Sequence, residues 1–170
     1  MKLTSISQPA GGPAGKPKLL SPVSAVLQSS VHYMTENGPV PSVRGIVCAR
    51  TFAEVILGTM DTWALQYDFG LVHLGVYNPR TKRHRDGTDI LVHGHKVWSN
   101  HAFGEAIDFR GILSDGVFYG VDRAEQDFPK KWHELLQQLN AAMAAKGLPK
   151  EFIPEGRWQH FGIHRPVQYA

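Results

Sequence analysis

The chain has 170 residues, 42% of them hydrophobic and 19% charged, with 18 Lys and Arg against 15 Asp and Glu for a formal net charge of +3. That is about one domain of ordinary globular sequence, which excludes a disordered chain and removes any need for a disulfide framework. No apolar run approaches the ~20 residues of a membrane-spanning helix, and the mild basicity suits an anionic partner (cell wall, nucleic acid or membrane surface) without choosing among them.

Residues 1–18 are Gly- and Pro-rich around Gln8–Pro17 and read as a flexible tail, with residues 19–170 expected to form one domain. No apolar stretch of ~7–15 residues follows Lys2, so no Sec-type signal is expected. Ser21-Pro22 predicts the start of a short helix with Val23, Val26 and Leu27 on its apolar face. Asn37-Gly38-Pro39 and Pro41 break the chain. The single cysteine, Cys48, sits in the apolar stretch Gly45–Ala49 and reads as a buried structural thiol, with a nucleophile as the alternative. One cysteine excludes an internal disulfide and a Cys-based zinc finger, so any metal site must use His and carboxylate ligands.

Thr51-Phe52-Ala53-Glu54 fits a capping box, and Phe52, Val55, Ile56, Met60 and Trp63 recur at helical spacing, predicting an amphipathic helix over residues 52–66. Gly70–Tyr77 reads as a strand ending before Pro79. Residues 80–96 are polar, rich in Arg and His, and read as a long loop. Glu105–Ile112 reads as a strand, Ser114-Asp115-Gly116 as a hairpin turn, and Val117–Tyr119 as its return. Lys131–Lys146 is the clearest helix, buried through Trp132, Leu135, Leu136, Leu139 and Met143 and stopped by Gly147 and Pro149. Trp158–Ile163 reads as a final strand. This order predicts an α+β fold, a small antiparallel sheet flanked by helices, rather than repeating βαβ units.

The chemistry-bearing stretch is Ser99-Asn100-His101-Ala102-Phe103-Gly104-Glu105-Ala106-Ile107-Asp108-Phe109. His101 and Asp108 stand seven residues apart, with a glycine and small residues between them. On a strand, Ala106 and Asp108 share one face while Ile107 and Phe109 share the other. Near the C-terminus, Trp158-Gln159-His160-Phe161 sets one His among aromatics. Two His and one Asp, with water, match the donor set of a catalytic zinc site. His93-Gly94-His95 is a second apparent ligand pair, but it reads as a loop. His73 reads as a packed or hydrogen-bonded histidine, His133 and His164 as surface positions, and His32 and His84 carry no readable signal.

The pattern Ser-x-His-x-x-Gly-x-Ala-x-Asp followed by Trp-x-His-Phe resembles the zinc D-Ala-D-Ala carboxypeptidase and L-alanyl-D-glutamate endopeptidase family. This is the VanY/VanX-like group with the Hedgehog/DD-peptidase fold, and the match is closest to its extensin-like and phage-endolysin branches. Gly75-Val76-Tyr77-Asn78-Pro79-Arg80 resembles the branch's Gly-x-Tyr-x-x-Arg segment. The similarity covers roughly residues 70–164. It implies zinc held by His101, Asp108 and His160, with Ser99 near the substrate. It implies Arg80, with Arg83 as the next choice, at the scissile carbonyl or substrate carboxylate.

The family's general base stands three residues before the last His, where this chain has Arg157. Glu155 is the nearest carboxylate and the first candidate, with Glu151, Glu105 or no base as alternatives. The implied activity is a zinc metallopeptidase that cuts peptidoglycan stem peptides through a metal-activated water. The rival is a non-catalytic cell-wall or partner-binding module on the same fold. The implied partner is peptidoglycan rather than nucleic acid. The implied place of action is the cell wall, periplasmic or extracellular, reached through a holin, a dedicated secretion system or another route.

Overall fold

The computed structural model describes residues 1–9 and 17–170. The chain opens with β1 (Lys2–Ser5) and β2 (Pro22–Val26), makes a hairpin of β3 (Val31–Thr35) and β4 (Gly38–Pro41), and returns as β5 (Ile46–Ala49). β5 runs directly into helix: α1 (Arg50–Phe52), a π-helical turn (Ala53–Leu57) and α2 (Gly58–Gln66). Then come β6 (Gly70–His73), the small hairpin β7 (Leu91–Val92) and β8 (His95–Lys96), and a 3-10 turn at Asn100–Phe103. The hairpin β9 (Ala106–Ser114) and β10 (Val117–Gly120) leads into α3 (Val121–Asp127) and α4 (Pro129–Ala145). β11 (Lys150–Pro154) and β12 (Gln159–Ile163) close the fold.

These elements make an α+β architecture. One sheet has the order β1-β2-β5; the larger has β11-β12-β9-β6-β3-β4, with β10 also on β9. The larger sheet is not wholly antiparallel as expected, because β3 and β6 run parallel. One apolar cluster joins both sheets to the helices: Val23 and Cys48 meet Phe52, Ile56 and Trp63, then Phe109, Ile112 and Phe161, then Leu135 and Leu139. Cys48 is fully buried there, and burial pushes its thiol pKa up to about 12, which fits the structural reading and not a nucleophile.

Four local expectations fail. The tail over residues 1–18 is ordered at its start, since β1 pairs along its length with β2, and the Gln8 amide both donates to and accepts from the Leu19 backbone. The partner strand lies some twenty residues away, so local composition could not reveal it. Residues 10–16 of that tail lie outside the described residues. The helix expected from Ser21-Pro22 is β2, whose Val23 and Ala25 alternate inward between two partner strands. The capping box at Thr51 does not form, because the helix already begins at Arg50 and no side chain caps it. The long loop at 80–96 holds the short β7–β8 hairpin.

β9 positions everything that follows. Its first half pairs with β12, up to Phe109↔Gln159, and its second half with β10, from Gly111↔Gly120. Opposite β6 it carries one extra residue, since Val72 pairs with Gly111 while His73 pairs with Phe109. That bulge changes the alternation, so Ile107 and Phe109 before it and Ile112 after it all reach the core.

Candidate metal centre

Three backbone devices converge on one point. Asp108 and His160 are direct cross-strand partners in the β9–β12 ladder, which brings their side chains together on one face. His101 comes from the 3-10 turn just before β9. Ser99 caps that turn, its hydroxyl oxygen accepting from the His101 N–H at 3.3 Å. Gly104 ends the turn in the left-handed region at φ 63°, and Ala49 N–H donates to its carbonyl at 3.0 Å. A Cβ at Gly104 would lie 2.6 Å from Leu19 and 2.9 Å from the β5 backbone. The glycine of the motif is therefore required by conformation and by space.

Ligand-capable atoms of His101, Asp108 and His160 all lie within 4.8 Å of one another. His101 Nδ1 donates to the Val76 carbonyl at 2.8 Å, while Nε2 faces Asp108 Oδ1 at 3.2 Å. His160 Nδ1 faces the same oxygen at 3.2 Å. Its Nε2 lies 3.3 Å from Glu151 Oε1, off the line of a good hydrogen bond. A carbonyl can only accept, so the Val76 bond places the neutral His101 proton on Nδ1 and leaves a lone pair on Nε2. A ring lone pair aimed at a carboxylate oxygen needs a cation between them, either a proton or a metal. The donor set thus fits a metal ion, with the outer ring nitrogen of His101 anchored on a protein acceptor and that of His160 facing Glu151.

The electrostatics agree. Burial alone would lower the His160 pKa, but the Asp108 and Glu151 carboxylates outweigh it and lift it to about 9. Burial would raise Asp108, yet the two imidazoles hold it well below the usual carboxylate range. Contact with His160 pulls Glu151 down to about 2, against its own desolvation. Without metal, His160 holds its proton more firmly than an ordinary imidazole.

The other expected site residues fall into separate groups. Glu155 is exposed at the β11–β12 turn, where one carboxylate oxygen accepts from the Trp158 indole N–H at 2.8 Å. Glu105 is buried and held by the Arg165 guanidinium. Arg80 is exposed; its carbonyl accepts from Ser99 N–H at 3.2 Å, and its side chain has no hydrogen bond or ion pair among the described residues. Arg83 lies 3.8 Å from Asp89 within its own loop. His93 and His95 are exposed; His93 bonds Tyr169 and His95 packs edge-on against it.

Sequence reasoning missed the supporting shell. Asn100 is buried and donates through Nδ2 to both Glu151 Oε1 and the Ile163 carbonyl, each at 3.0 Å. Its place inside the motif was the only signal. Glu151 is the carboxylate brought to His160, but from the outer ring nitrogen, and it also receives His164 Nδ1 at 3.2 Å. His73 is buried with neither ring nitrogen bonded, and desolvation lowers its pKa to about 4 despite the nearby Asp108. It is packed, not hydrogen-bonded.

No family model matches the chain, and no curated protein or solved structure matches it. Among the described residues, no helix is long and apolar enough to cross a membrane.

Proposed function

We propose that the protein is a zinc-dependent peptidase of peptidoglycan stem peptides, with a Hedgehog/DD-peptidase-like frame. The observation that carries this reading is the convergence of His101, Asp108 and His160, the three positions that the sequence resemblance marks as zinc ligands. Two neutral imidazoles and one carboxylate form the open three-ligand set of catalytic zinc sites. The net charge of +3 suits an anionic wall polymer.

When bound, zinc supplies Lewis acidity toward a peptide carbonyl and makes water acidic enough to act as a nucleophile near neutral pH. The chain's own residues do the rest. Val76 O fixes the orientation of the His101 imidazole, and the Glu151 carboxylate stands behind that of His160. Arg80, unpaired and next to Ser99, offers a cation to the carbonyl oxygen or to a substrate carboxylate. Glu155 moves the proton from the nucleophile to the leaving amine. It is the carboxylate left by elimination: Glu105 is consumed by Arg165, and Glu151 stands behind His160.

One observation favours a second reading, a wall-binding module that cleaves nothing. Arg157, not a carboxylate, stands three residues before His160. Mass spectrometry of muropeptides after digestion of purified peptidoglycan by the zinc-loaded protein decides between them. New amine and carboxylate ends at a stem-peptide bond support the peptidase. Full zinc occupancy with an unchanged muropeptide profile supports the binding module.

A further inference from the structure

Beside the triad lies a cleft of about 520 Å³ whose lining includes Arg110, Arg157, Phe118, Trp158, Met34 and Glu36. It opens where β9 passes from one partner to the next. The β12 ladder ends at Phe109 and the β10 ladder begins at Gly111, so Arg110 has no cross-strand partner on that edge. Arg110 is also the extra residue of the bulge, a device that re-aims a side chain beside a site. Its guanidinium donates through Nη1 to the Arg157 carbonyl and lies 5.6 Å from the centre of the Phe118 ring.

This puts two arginines side by side. Of the charges acting on Arg110, Arg157 is alike and Asp122 opposite. The ion pairs of the described residues engage Arg50, Arg83, Arg123 and Arg165, but neither Arg110 nor Arg157. Glu36 on the rim is not paired with either. Trp158 and Phe118 give the cleft apolar walls, and Leu74, also in its lining, donates its N–H to the Asp108 carbonyl at 2.8 Å. The cleft is thus next to the ligand Asp108 along the chain.

We propose that this cleft is the subsite for a carboxylate of the bound peptide, held by the Arg110 and Arg157 guanidiniums with its flanking apolar group against Trp158 and Phe118. Two like charges that form no ion pair of their own are relieved by an anion, and planar guanidiniums match carboxylate geometry. Arg157 then has a positive role at the position where the resemblance leads one to expect a base. The inference rests on the peptide-ligand reading above and deepens it: the ligand is an acidic peptide, anchored beside the triad.

The test is calorimetric binding of a stem pentapeptide with free carboxylates, and of the same peptide fully amidated, to the full zinc-supplemented chain. The free acid should bind at least about tenfold more tightly, as expected when charge-assisted bonds are lost. R157Q should remove most of that preference. Its exposed side chain makes no bond within the fold, so folding should be intact, whereas R110Q also loses the bond to the Arg157 carbonyl. Zinc affinity should be unchanged in both. Equal binding of acid and amide, or a preference that survives in R157Q and R110Q, overturns the subsite. A preference lost on substitution in a protein that cuts no peptidoglycan leaves the subsite standing and removes the peptidase reading.

Discussion

Asn100 and Glu151 are 51 positions apart, yet Asn100 Nδ2 donates to Glu151 Oε1 at 3.0 Å, the same oxygen that lies 3.3 Å from His160 Nε2. One buried amide therefore fixes the carboxylate that backs a candidate ligand. Carboxylates behind ligating histidines typically contribute ~10–100-fold to metal affinity. Glu151→Gln should lower zinc affinity by that factor, read by competition with a chromophoric chelator, while the circular dichroism spectrum stays unchanged. Unchanged affinity would mean that His160 needs no support from Glu151.

Metal should stabilise the fold through the triad. A ligand that binds only the native state contributes ~2.7 kcal/mol at a hundredfold excess over its Kd. Adding zinc should raise the Tm of the wild type and leave that of His101→Ala unmoved. Because the core is independent of the site, chelation should lower the Tm without unfolding the chain at room temperature. A zinc-dependent Tm in His101→Ala would remove His101 from the ligand set.

Gly104→Ala forces a Cβ into the left-handed region and against Leu19 and the β5 backbone. Strain of this kind costs on the order of 1–3 kcal/mol. The variant should unfold at lower denaturant and bind zinc more weakly, since the turn that carries His101 must move. Full wild-type stability in urea titration would show that the turn relaxes freely.

His73 sets an acid sensitivity. Its folded pKa of about 4 lies below the ordinary 6.5, so the unfolded chain takes up the proton first. The contribution of His73 to stability is intact above pH 6.5 and is lost as pH falls toward 4. His73→Leu should flatten that part of the stability–pH curve. The same slope in both proteins would place the acid-sensitive group elsewhere.

Glu155→Gln should reduce peptidoglycan cleavage by at least ~100-fold, the lower figure for a general acid–base group. Zinc and peptide binding should persist. Near wild-type turnover would remove Glu155 as the base.

The helix of Phe52–Trp63, the β9–β10 hairpin and α4 were legible because their periodicity is local. β1, the β3–β4 hairpin and β5 were not, since short strands take their identity from partners far along the chain. His101, Asp108 and His160 stood out by residue type and spacing. Asn100 and Val76 did not, because one acts through a buried amide and the other through a backbone carbonyl. The bulge left a readable trace after all: the spacing from Phe109 to Ile112 is odd where strict alternation requires even.

That trace has an evolutionary side. Everything downstream of Arg110 on β9 is kept in phase by a single surplus residue. Deleting one residue between Phe109 and Ile112 would restore an even spacing, so a regular ladder would still turn Ile112 to the core, and only the bulge would be lost. A point substitution at Arg110 changes the side chain presented to the cleft, whereas a one-codon loss there removes the bulge that presents it. The surplus residue at this junction is therefore one that the core does not require and the cleft does.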